Sequence, residues 1–140
     1  MKLTLRSGDW TTLGKQAYAI RHEVFVVEQG VPEEVELDEH DPVSLHVLAL
    51  GDETPVGTGR LLDDGHIGRL AVRQAARGTG VGRAMMLHLM EQAMHRGMAE
   101  IVLHAQVQAQ PFYVSLGFEP EGDVFNEAGI DHVLMRKRLR

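Results

Sequence analysis

The chain has 140 residues, a length that fits one compact core, and we read residues 1–140 as a single domain. Hydrophobic residues make up 44% and charged residues 24%, which excludes a disordered chain. The net charge of −6 argues against a nucleic-acid-binding face, and the absence of cysteine excludes disulfides, thiolate metal sites and a cysteine nucleophile. No apolar run approaches the ~20 residues a membrane-spanning helix needs. Met1-Lys2-Leu3-Thr4-Leu5-Arg6 lacks the apolar stretch of a secretion signal, so a cytoplasmic location with no membrane partner is expected.

In chain order, Asp9, Thr11 and Thr12 are candidate caps for a helix whose apolar face carries Leu13, Ala17, Ile20 and Val24. From Gly30 to Pro42 the sequence is acidic and turn-rich, which predicts a solvent-exposed loop or short helix. Leu45–Leu50, Val56–Leu62 and His66–Val72 read as three strands of an antiparallel meander, joined at Gly51-Asp52-Glu53-Thr54 and Asp63-Asp64-Gly65. After Arg73–Gly82 a long helix is expected, with a stripe of Ala84, Leu87, Met90 and Met94 and a stop at Gly97. A strand at Ile101–Ala105, a helix at Ala109–Leu116 ended by Gly117, and strands near Val124-Phe125 and Asp131–Arg136 complete an α+β layout around a mixed, mostly antiparallel sheet flanked by helices. The eight histidines show no metal-binding spacing, so no catalytic metal is expected. The basic tail from Arg136 to Arg140 reads as a solvated strand end rather than a nucleic-acid site.

The most informative stretch is the junction Leu70-Ala71-Val72-Arg73-Gln74-Ala75-Ala76-Arg77-Gly78-Thr79-Gly80-Val81-Gly82-Arg83. A strand ends, three glycines alternate, and a helix begins. The first N–H groups of a helix lack internal partners and sit at the positive end of its dipole. Glycines let an anion approach that backbone closely. Arg69, Arg73, Arg77 and Arg83 place four positive charges here, with no Asp or Glu between them. The Gly-Lys-Ser/Thr of a nucleotide-triphosphate loop is missing, and the glycine spacing is wrong for a dinucleotide fold. A glycine-rich strand-to-helix turn bearing a solvated arginine face remains the bland alternative.

Arg77-Gly78-Thr79-Gly80-Val81-Gly82 resembles the pyrophosphate loop of the GNAT superfamily, the acyl-CoA-dependent N-acyltransferases. Downstream, Ala109-Gln110-Pro111-Phe112-Tyr113-Val114-Ser115-Leu116-Gly117-Phe118 looks like that family's second coenzyme-contacting segment, with Gln106 where many members carry Asn. Arg21-His22-Glu23-Val24-Phe25-Val26-Val27-Glu28-Gln29 and Gly129-Ile130-Asp131-His132 are similar to segments of ElaA-type members. The first of these is shared in part with acyl-homoserine-lactone synthases, which are longer.

The resemblance implies direct transfer of an acetyl group from acetyl-CoA to a primary amine of a small molecule or peptide, with no covalent enzyme intermediate and no metal. It implies that Leu70, Ala71 and Val72 pair with the pantetheine arm and supply an N–H to the developing oxyanion. Arg77, Gly78, Thr79, Gly80, Val81, Gly82 and Arg83 would hold the diphosphate, with Gln106, Phe112 and Tyr113 completing the coenzyme contacts. Tyr113 matches the family's general acid. For the base, Glu28 and His132 are preferred over Glu23, Asp38 and His66. The acidic stretch from Glu33 to Asp41 is expected beside the acceptor, where it would attract a cation. A homodimer is common in the family. A non-catalytic acyl-CoA-binding regulatory module is the alternative function.

Overall fold

The computed structural model describes all 140 residues. A first strand, β1 (Leu3–Gly8), precedes helix α1 (Trp10–Arg21), which runs on as π-helical turns over His22–Glu28. A single turn, α2 (Glu33–Glu36), leads into β2 (Leu45–Gly51), β3 (Thr54–Leu61) and β4 (Ile67–Val72). Then follow α3 (Val81–His95), β5 (Glu100–Gln106), α4 (Gln110–Ser115), β6 (Glu119–Glu127) and β7 (Ile130–Arg138). Strands β1-β2-β3-β4 form one antiparallel sheet and β5-β7-β6 another.

The local signals act as physics dictates. Asp9 caps α1 by accepting from the Thr12 amide at 2.9 Å, and Leu13, Ala17, Ile20 and Val24 are all buried. Asp52 and Glu53 both take positive φ (50° and 70°), the paired left-handed geometry of a two-residue hairpin. Helix α1 covers one face of the first sheet through Leu48 and Leu50, and α3 covers the other through Val47 and Ala49.

Four expectations need correction. Strand β1 carries little sequence signal, although Leu3 and Leu5 alternate; six residues at a sheet edge have too short a period to stand out. The buried stripe of α3 is Val81, Met85, Met86, Leu89 and Ala93, whereas Leu87 and Met94 are exposed. Apolar residues occur almost all round this helix, so periodicity alone did not fix its inward face. Strand β6 is far longer than Val124-Phe125, because an exposed edge strand rich in Glu and Asp shows no apolar alternation. The acidic stretch is not simply solvated: Glu36 and Asp41 are each only 1% exposed.

Those two carboxylates belong to a buried charge network. The Arg21 guanidinium donates to Glu36 Oε1 (2.5 Å), Asp41 Oδ1 (2.7 Å) and the Glu36 carbonyl (2.7 Å). Arg60 donates to Asp41 Oδ1 (2.8 Å) and to both oxygens of Asp38 (2.7 Å each), which also accepts from Arg69 at 3.2 Å. Burial raises the Asp38 carboxyl, but the hydrogen bonds and charge of Arg60, helped by Arg69, override it and hold the group down at about 2. Its ordinary value is 3.8, so its share of stability is complete above that value and is lost as pH falls toward about 2. Acid unfolding followed by circular dichroism is expected to steepen in that window, and Asp38→Asn is expected to flatten it.

Candidate active site

The two sheets touch at one end only. The Val102 amide donates to the Gly65 carbonyl at 3.0 Å, and His66 and Val102 form a single parallel bridge. Gly65 enforces this contact: its φ is +92°, and a Cβ there would sit 2.8 Å from the Glu100 carbonyl oxygen. Beyond that point β4 and β5 diverge like a wedge, and the edge of β4 that faces β5 has no strand partner.

Strand β4 is also kinked. Thr58 and Arg60 on β3 oppose Ala71 and Gly68 on β4, so β4 carries one extra residue. Arg69 takes φ 48°, a left-handed conformation rare for a residue with a Cβ. The bulge reverses the faces of the strand: Ile67 joins the α3 core, whereas Ala71 joins the α1 cluster. Its side-chain partners hold it open, with Arg69 donating to the Glu36 and Val35 carbonyls at 3.2 and 3.1 Å.

A cleft of about 1060 Å³ fills the wedge. Of the expected coenzyme contacts, Leu70, Ala71, Val72, Arg77, Gln106 and Tyr113 line it. The glycine loop continues from the open end of β4. Thr79 Oγ1 donates to the Ala76 carbonyl, and Gly80 ends the loop as the residue preceding α3, which has no side-chain cap. Gly78 (φ +77°) and Gly80 (φ +88°) have left-handed backbones, and a Cβ on either would meet no protein atom within 4 Å. These glycines therefore serve the turn and the empty space outside it, not internal packing. Uncapped amides, positive dipole and open approach fit a diphosphate. Gly82 lets the Phe112 ring approach, at 3.6 Å from where a Cβ would stand.

The four arginines do not act as one patch. Arg69 lies 3.2 Å from Asp38, Arg73 lies 3.6 Å from Glu23, and Arg77 donates to both oxygens of Glu28 at 2.9 and 2.8 Å. Arg83 is exposed at the start of α3 and has no ion-pair partner. Gln106 pairs with Gln29, its amide donating at 2.9 Å.

Tyr113, on α4, packs edge-to-face against Phe112 (5.0 Å) and Phe118 (6.0 Å). Burial pushes its phenol up to about 12, and its hydroxyl makes no hydrogen bond within the protein. The group thus keeps its proton throughout the neutral range. His132 is 8% exposed and lines the cleft. A carbonyl can only accept, so the 2.7 Å contact from Nδ1 to the Ile130 oxygen fixes the proton on Nδ1 and leaves Nε2 as an acceptor. Glu28 lies outside the cleft lining, committed to Arg77. His66 and Asp38 line the cleft, and Glu23 does not.

A wedge-split sheet, a β4 bulge and a glycine-formed helix start frame the cleft. The GNAT acetyltransferase domain model matches residues 11–139. The chain belongs to the GNAT acetyltransferase family. An uncharacterized N-acetyltransferase of Bacillus subtilis, YjcF, is 40% identical over 127 residues, covering 88% of this chain and 91% of that one. Escherichia coli ElaA is 35% identical over 135 residues, covering 89% and 88%. Its crystal structure superposes with a TM-score of 0.86, covering 97% of this GNAT chain and 99% of ElaA. A Pseudomonas aeruginosa acyl-CoA N-acyltransferase gives the same score at 30% identity, with coverage of 97% and 99%. The family makes the protein an acyltransferase that draws on acyl-CoA. No helix is long and apolar enough to cross a membrane.

One feature of the cleft had no clear signal in the sequence. His104, on β5, donates from Nδ1 to Glu127 Oε2 at 2.9 Å, a His–carboxylate pair assembled from strands 23 residues apart. Neither residue lies in a family-like motif. Only strand pairing brings them together.

Proposed function

We propose that the protein transfers the acetyl group of acetyl-CoA directly to a primary amine. The observation that carries this reading is the alignment of the unpaired β4 edge with the glycine-formed start of α3. The coenzyme's diphosphate would sit on the helix amides while its pantetheine adds to β4 as an extra strand. Its thioester carbonyl then faces the amides of Leu70–Val72 beside the bulge, which would stabilise the oxyanion. The amine enters from the α1 side of the wedge, past the network of Arg60, Arg69 and Asp38. An amine of ordinary pKa ~10 is mostly an ammonium at neutral pH, so it loses one proton to solvent to become a nucleophile and a second, as the amide forms, to the histidine-bearing wall of the cleft. Tyr113, protonated and aimed at the cleft, is the donor to the departing thiolate.

Two measurements test this. Calorimetric titration with acetyl-CoA reports binding, and thiol release with a panel of primary amines reports transfer. Binding without thiol release on any amine would favour a non-catalytic regulatory module. Tyr113→Phe is expected to lower kcat about a hundredfold, with little change in the KM for acetyl-CoA. An unaltered kcat would assign thiolate protonation to water.

A further inference from the structure

Resting on that transferase reading, the geometry points to His104, oriented by Glu127, as the general base that takes the proton of the acceptor amine. The strand register supplies the placement. His104 pairs with Leu134 and Gln106 with His132, while Phe125 pairs with His132 and Glu127 with Ile130. Cross-strand partners share a face, so His104, Gln106, His132, Phe125 and Glu127 lie on one side of the second sheet. Leu103, Ala105, Val133 and Met135 occupy the opposite, core-facing side.

The level along the wedge is set by the His66–Val102 bridge. Two residues further along each strand, His104 stands level with Gly68. Past Gly68 the bulge adds a residue to β4, so Gln106 comes opposite the Leu70–Ala71 stretch, where the β4 amides would hold the thioester. Coenzyme enters from the open end, so the acetyl group points toward the closed end, and His104 is the β5 side chain on its far side. His132 lies one pair further toward the open end, beside Gln106.

The chemistry of the pair suits a base. A carboxylate can only accept, so Glu127 keeps the proton on His104 Nδ1 and leaves the Nε2 lone pair for the amine. The Glu127 carboxylate then stabilises the imidazolium that forms. His132 rests on a neutral carbonyl and has no such partner. Phe125 meets the His104 ring edge-to-face at 5.2 Å, and His66 does so at 6.1 Å. The titratable groups in contact with His104 are Glu127 from β6 and His66 from the β3–β4 turn, and Asp64 lies 3.0 Å from His66 Nδ1. His104 remains 40% exposed on its side chain, which lets it return the proton to solvent after each turnover.

The step balances. The attacking species is the neutral amine, its ammonium proton having already gone to solvent; as its nitrogen bonds to the acetyl carbon, the proton this bond makes acidic passes to His104 Nε2. The C–S bond breaks with its electron pair going to sulfur, and the thiolate takes a proton from Tyr113. Solvent then reprotonates Tyr113 and deprotonates His104, leaving amide and free CoA.

The test compares wild type, His104→Gln, Glu127→Gln and His132→Gln, using acetyl-CoA with spermidine, a lysyl peptide and phenethylamine as acceptors. His104→Gln is expected to lower kcat/KM about a hundredfold or more and to remove the acid limb of its pH profile, with acetyl-CoA affinity unchanged by calorimetry. Glu127→Gln is expected to cost about tenfold and to keep the limb, and His132→Gln to keep the limb. Separately, ¹⁵N spectra of the wild-type imidazoles are expected to show His104 protonated on Nδ1. A limb that survives in His104→Gln or vanishes in His132→Gln would overturn the assignment, as would a His104 protonated on Nε2. Wild-type protein that binds acetyl-CoA yet acetylates no amine overturns the transferase reading instead, which separates the two failures.

Discussion

Replacing Gly80 with glutamate is expected to weaken acetyl-CoA binding more than a hundredfold while leaving the protein folded. Gly80 has φ +88°, and a Cβ there meets nothing within 4 Å, so the substitution causes no clash inside the protein. The left-handed backbone penalises a residue with a Cβ by about 1–2 kcal/mol. A carboxylate at the start of α3 returns about 0.3–1 kcal/mol through the helix dipole. Net stability thus changes little. The ligand faces a different balance. A carboxylate ~5 Å from a diphosphate charge repels it by about 3 kcal/mol at an effective dielectric of ~20, which exceeds a hundredfold in affinity. Gly80→Ala carries the backbone strain without the charge and is expected to keep most of the affinity. Calorimetric titration of both variants, with their thermal midpoints, separates the causes. Retained affinity in Gly80→Glu would remove the loop from the coenzyme site.

The loop was legible in the sequence because its physics is local: a strand, left-handed glycines and a helix start occur within fourteen consecutive residues. The position of Tyr113 in the cleft was legible for the same reason, since it sits in a short segment that resembles a family motif. The His104–Glu127 pair was not. His104 and Glu127 are 23 positions apart and meet only through β7, which pairs with both their strands. Nothing within either segment encodes that register. Glu28 shows the converse. Its segment resembles the subgroup signature, but the structure turns its carboxylate onto Arg77, a partner 49 residues away. A charge pattern in one dimension does not reveal which opposite charge folding will bring to it. The acidic stretch teaches the same lesson, since its density suggested solvent while Glu36 and Asp41 are sealed against Arg21.

That burial sets up the largest expected effect on stability. Arg21→Ala is expected to destabilise the protein by about 3–5 kcal/mol, because it leaves Glu36 and Asp41 buried without their main countercharge. Arg21 is 1% exposed and ties the end of α1 to α2 and to the turn that carries Asp41. Its guanidinium also lies 5.3 Å from the Trp10 ring centroid, so packing is lost along with charge. For a chain of this length the thermal midpoint should fall by roughly 10–20 °C. Arg21→Lys should recover little, since one ammonium cannot reproduce a fork that serves a glutamate, an aspartate and a carbonyl at once. Activity should fall further than the folded fraction does. The same network fixes Asp38 and Arg69, and Arg69 braces the bulge that frees the β4 amides. Measuring kcat/KM well below the midpoint of Arg21→Lys tests this coupling. A stable variant with normal kcat/KM would confine the network to holding the fold and leave the β4 bulge independent of it.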